Sequence, residues 1–70
     1  MKVILYTTHC PKCTVIEKKL GLAGIQFDVC EDVELMKARG WKKAPILEVD
    51  GQAMEFGDAA KWINIQKEGN

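Results

Sequence analysis

The seventy-residue sequence carries no net charge, because ten basic and ten acidic residues cancel. That absence removes any electrostatic reason to expect nucleic acid or a charged membrane surface as a partner. Long apolar runs are missing as well. No stretch approaches the roughly 20 residues a membrane span needs. The opening MKVILYTTHC breaks its apolar run after Leu5 with polar residues, which does not read as a secretion signal. There is no internal repeat, low-complexity tract or linker, so residues 1–70 are expected to form one domain. Cysteine is present three times, as Cys10, Cys13 and Cys30, an odd count that cannot form a fully paired secreted framework. The expected compartment is therefore the reducing cytoplasm, where a CxxC pair is more often redox-active or metal-binding than a permanent bridge.

Against these absences stands a clear order of elements. KVILY is β-branched and aromatic, and predicts a first strand. Pro11 suits the first turn of a helix, where its missing N–H costs nothing. Val15, Ile16 and Leu20 are expected to share that helix's inner face, and Gly21 or Gly24 to end it. IQFDV, residues 25–29, predicts a second strand. Asp32 is a candidate N-cap for a short helix VELMKAR, which Gly40 stops. PILEVD predicts a third strand with Pro45 at its start, and Asp50-Gly51 is a hairpin signal that returns the chain as QAMEF. Asp58 is expected to cap a last helix in which Ala59, Trp62, Ile63 and Gln66 share a face, with QKEGN fraying at the end. The fold class is α/β, in the order βαβαββα: a four-stranded mixed sheet flanked by three helices. Strands one and two should be parallel and right-handed in their crossover. The expected core is Tyr6, Ile16, Leu20, Phe27, Leu35, Ile46, Leu47, Val49 and Ile63, with Cys30 half-buried beside it.

The chemistry concentrates in residues 7–13, TTHCPKC. A thiol attacks a disulfide only as thiolate, and free cysteine has a pKa of about 8.5. Cys10 would sit just before a helix, where unpaired N–H groups and the dipole favour an anion. Lys12 adds a cation, and the Cys13 thiol can donate to the Cys10 sulfur. These effects together predict a lowered pKa at Cys10. Residues i and i+3 at a helix start are close enough to form a disulfide with little backbone movement. Cys10 can therefore attack, and Cys13 resolve. Two plainer readings stand beside this one. A structural disulfide closing so short a loop removes little chain entropy. A zinc site could draw on Cys10, Cys13, Cys30 and His9.

YTTHCPKC, KAPILEVDG and FGDAAKWI together give the chain a resemblance to the glutaredoxins, within the thioredoxin-like superfamily, over essentially its whole length. The resemblance implies a dithiol–disulfide oxidoreductase with Cys10 and Cys13 as catalytic residues and no metal. It implies that Pro45 is cis and faces the dithiol, with Ala44 offering its backbone to an extended thiol substrate. Gly57 and Asp58 match the place where glutaredoxins hold the α-carboxylate and ammonium of glutathione. Pro11, Lys12, Lys42 and Lys43 would flank the same substrate. No cofactor need be bound; glutathione is the implied reductant, and a protein disulfide or glutathione the partner of a monomer. The chain departs from the family at Ala44, where valine is common, at Lys12, where tyrosine is common, and at Phe56 before a single Gly57. An alternative is an electron donor reduced by a flavoprotein reductase and serving, for example, ribonucleotide reductase. INIQKEGN, however, lacks the tryptophan-rich ending of those donors. A thiol-based metal carrier is the remaining alternative, although its usual βαββαβ order differs.

Overall fold

In the computed structural model, which describes residues 1–68, the elements run β1 (Val3–Tyr6), α1 (Pro11–Leu22), β2 (Asp28–Cys30), α2 (Val33–Ala38), β3 (Ile46–Val49), β4 (Gln52–Met54) and α3 (Phe56–Glu68). This is the expected βαβαββα order. The sheet order is β2-β1-β3-β4. β1 pairs parallel with β2 and antiparallel with β3, and β3 pairs antiparallel with β4. Among the described residues, no helix is long and apolar enough to cross a membrane.

Strand alternation divides the core between the two faces of the sheet. Val3, Leu5 and Leu47 point to one face, where Ile16 and Leu20 of α1 and Ala59 and Ile63 of α3 close over them. Leu5 and Leu47 are register partners and both are fully buried. Tyr6 and Ile46 point to the other face and meet Met36 of α2. There Tyr6 also takes part in a polar cluster. Its hydroxyl donates to Glu48 at 3.0 Å and accepts from Arg39 at 3.0 Å, while Arg39 pairs with Glu48 at 3.2 Å.

The ends of α1 and α2 are closed by the same device. After α1, Gly24 takes φ +71°, and the N–H groups of Gly24 and Ile25 bond back to Gly21 and Leu20 at 3.1 Å each. After α2, Gly40 takes φ +77°, and the N–H groups of Gly40 and Trp41 bond back to Lys37 and Met36. Both are Schellman closures, which need a left-handed residue just past the helix. Asp32 caps the start of α2 as expected, its carboxylate accepting the Leu35 N–H at 3.1 Å. The Asp50-Gly51 turn has φ +50° and +86° at its two central positions, which matches the twist of the β3–β4 hairpin. The Asp50 side chain also accepts the Lys2 N–H at 2.8 Å, which ties the turn to the start of β1.

Several expectations are corrected. β2 begins at Asp28 rather than residue 25, because the Ile25 N–H is already used in closing α1. Val15 is 41% exposed, and Cys13 takes its place on the inner face of α1. Phe27, Leu35 and Val49 are only partly buried, whereas Val3, Leu5, Met36 and Ala59 are core. α3 begins at Phe56, with the Glu55 carbonyl accepting the Ala59 N–H at 2.8 Å, so Asp58 lies within the first turn and is not the cap. Gln66 to Glu68 continue α3, and the rest of the expected frayed tail lies outside the described residues.

The two glycines near the end of α1 should respond with opposite sign to alanine. Neither has an atom within 4 Å of an added Cβ, so backbone conformation alone decides. Gly24→Ala should cost about 1 kcal/mol, because an L-residue is placed in the left-handed region. Gly21→Ala, inside the helix, should be neutral or stabilise by about 0.5 kcal/mol. Urea unfolding of both variants measures the contrast; equal effects would contradict it.

Candidate active site

The four residues between β1 and α1 turn the chain sharply. Thr7 extends β1 by one more bond, its N–H donating to the Cys30 carbonyl at 3.0 Å, and its side chain is buried. His9 then takes φ +62°, and its N–H donates to the Thr7 hydroxyl at 2.9 Å. This local turn delivers Cys10 to the N-cap of α1 with extended backbone, φ −71° and ψ 166°. Pro11 follows at the first helical position, where it has no N–H to leave unpaired.

At the cap the Cys10 sulfur takes the place an oxygen usually occupies. It accepts the Cys13 N–H at 3.3 Å. The two sulfurs lie 2.7 Å apart as free thiols. Their exposure differs: Cys10 is half-buried, whereas Cys13 is 1% exposed, so only Cys10 can be reached by a large disulfide. Burial opposes ionisation of Cys13. Hydrogen bonds from the Cys10 thiol, the Thr7 hydroxyl and the Thr8 and Cys10 backbone outweigh it, lowering the Cys13 pKa to about 7. Two sulfurs this close share a proton, so the first ionisation belongs to the pair.

The Ala44–Pro45 peptide bond is cis and lies opposite the dithiol. The Cys10 sulfur lies 3.8 Å from the Ala44 carbonyl oxygen. Beyond Pro45 is a cleft of about 220 Å³ whose lining includes Lys12, Lys43, Ala44, Pro45 and Gly57. Five residues read from separate parts of the sequence are thus brought together. Pro11 is exposed at the helix start, and Asp58 is exposed outside the cleft lining. Glu55, missed in the sequence, is the carboxylate that lines the cleft. Lys12 lies with its ammonium 5.5 Å from the centroid of the Phe56 ring, so it faces this cleft.

Comparison of the chain with protein-family models, curated proteins and solved structures finds no match. The element order, the mixed sheet and the cysteine pair at the start of α1 are consistent with a thioredoxin-like fold. A CxxC pair in this position has the geometry of a redox dithiol.

The zinc site drawn from Cys10, Cys13, Cys30 and His9 of one chain required four donors to converge. Among the described residues no group of three metal-ligating side chains forms. His9 is instead paired with Glu31, which raises its pKa above 6.5, first by the hydrogen bond and then by charge attraction. Thr7 was also missed in the sequence. As a threonine at the end of a strand, it carried no signal that its hydroxyl would face a buried thiol.

The Cys13 shift implies a pH dependence of stability. The first ionisation of the pair is favoured in the folded protein, so the thiolate it forms stabilises the fold above the unfolded value and that contribution is lost as pH falls. The reduced protein should gain on the order of 2 kcal/mol between pH 7 and 9, because ionisation falls near 7 in the fold and near the free-thiol value of about 8.5 when unfolded. Denaturant unfolding across this range should show the rise in wild type and its loss in Cys13→Ala. A flat wild-type profile would contradict the assignment.

Proposed function

We propose that the protein is a glutaredoxin-like thiol–disulfide oxidoreductase that acts through Cys10 and Cys13. The observation that carries this reading is the pairing of an accessible Cys10 with a buried Cys13 2.7 Å away at the start of α1. When the one proton shared by the pair rests on Cys13, Cys10 is the thiolate and attacks one sulfur of a target disulfide. A bond forms between Cys10 and that sulfur, and the other target sulfur leaves as thiolate and takes a proton. Cys13 then gives up its proton and attacks the Cys10 sulfur. The mixed disulfide breaks, the second target sulfur leaves as a thiol, and the protein is left with a Cys10–Cys13 disulfide. Two electrons have passed from the dithiol to the target.

Glutathione is the reductant this reading favours. A first glutathione opens the Cys10–Cys13 bond, and a second displaces the first as oxidised glutathione. The cleft beside Pro45 supports the choice. Lys12 and Lys43 offer charge to carboxylates, Glu55 offers charge to an ammonium, and Gly57 lies in the first turn of α3, where backbone N–H groups favour an anion. A protein disulfide or a glutathione mixed disulfide is the substrate class, and the cytoplasm the setting in which the dithiol stays reduced.

The test is turnover of a small glutathione mixed disulfide with glutathione as the sole electron source. Cys10→Ser should reduce the rate to the uncatalysed level. Cys13→Ser should accumulate a mixed disulfide, located at Cys10 by mass spectrometry of its peptides. An adduct found on Cys30 would overturn the assignment of roles. Turnover seen only with a flavoprotein reductase would move the reductant from glutathione to that enzyme.

A further inference from the structure

A second and larger cleft, about 470 Å³, opens on the other side of Ala44, between α2 and the segment leading to Pro45. Its apolar floor is formed by Val33, Met36 and Trp41. Val33 is 44% exposed there, an apolar side chain left uncovered in the first turn of α2. Trp41 is held firmly. Its ring meets Tyr6 edge-on at 4.7 Å, and the Arg39 guanidinium lies 5.1 Å from its centroid. The rim is cationic, since Lys37, Lys42 and Lys43 line the cleft and no acidic residue does. None of the three has a carboxylate partner among the described residues.

We propose that this cleft holds an extended segment of a protein target beside its reactive cysteine, seating an apolar side chain with carboxylates next to it. The inference rests on the oxidoreductase reading and adds the target's chemistry to it. Geometry connects the cleft to the dithiol: Ala44 and Lys43 line both clefts, and the Ala44 carbonyl lies 3.8 Å from the Cys10 sulfur. A chain bonded to Cys10 passes Ala44, and its neighbouring residues then lie over the floor of Met36 and Trp41. Charge selects the occupant. Three unpaired ammonium groups around an apolar floor attract an acidic segment and repel a basic one.

Three synthetic peptides with an internal disulfide test the proposal, flanked by Leu-Glu-Glu, Leu-Lys-Lys or Ala-Glu-Glu. The pre-reduced full chain is mixed with each in single-turnover reactions. The Leu-Glu-Glu peptide should be reduced about tenfold faster than the Leu-Lys-Lys peptide at low salt, from two or three exposed charge pairs. The ratio should shrink toward one at about 1 M salt. The Ala-Glu-Glu peptide should lose about tenfold relative to Leu-Glu-Glu, for want of the apolar contact. In a Lys37→Glu, Lys42→Glu variant the acidic–basic preference should invert. Because each result is a ratio within one protein, a change in overall rate does not disturb it. Equal rates for all three peptides overturn the cleft assignment and leave the dithiol chemistry standing. A preference that survives the double variant but disappears when Lys12, which lines only the smaller cleft, is replaced moves recognition there and overturns the assignment also. No reduction of any peptide removes the oxidoreductase reading, and this inference with it.

Discussion

The chemistry of this protein depends on a sulfur serving as a helix cap. Cys10 occupies the position where serine or aspartate usually accepts an orphan N–H, and its sulfur accepts the one from Cys13. A capping bond from a backbone amide thereby also orients the more exposed sulfur of the pair. It holds Cys10 at the edge of the fold, and it brings Cys13 under it from one turn along the same helix. Pro11 between them makes this inexpensive, because proline at the first helical position leaves no donor unsatisfied.

The site is supported from behind by the sheet. β1 is central, bonded to β2 on one side and β3 on the other. Its last residues meet both neighbours: Tyr6 pairs with Cys30 and Ile46, and Thr7 continues to the Cys30 carbonyl. The antiparallel pairing with β3 carries Ala44 and Pro45, just ahead of Ile46, to the dithiol. The two clefts then follow from what flanks that segment, α2 and Trp41 on one side and the start of α3 on the other. With so small a core, each fully buried leucine carries a large share of the stability, since net stability is only about 0.05–0.15 kcal/mol per residue. Leu5 and Leu47 therefore hold the sheet against α1 and α3.

Much of this was legible in the sequence wherever the determinant is local. Element order, the Asp32 cap, the Asp50-Gly51 turn and the cysteine pair at a strand-to-helix junction each depend on a few neighbouring residues. The errors also share a cause. Val15 and Cys13 both fit the periodicity of α1, and only the angle at which the helix packs buried one and exposed the other. Asp58 has the right chemistry for a cap, but Phe56 packs against the core and starts the helix earlier. Ile25 and Phe27 read as strand, yet the closure of α1 uses the Ile25 N–H before the sheet can.

By itself, the sequence determined that two thiols would meet at a helix start, because an i, i+3 spacing behind a capping position brings them together whatever surrounds them. The resemblance to glutaredoxins already implied that Ala44 and Pro45 would face the dithiol, as they do, but only the tertiary structure decided how each thiol is sheltered. Thr7 reaches Cys13 because β1 packs beside α1. Ala44 reaches Cys10 across thirty-four positions of sequence because β1 and β3 are paired. Contacts of that range are set by how layers pack, and no local pattern of residues encodes them.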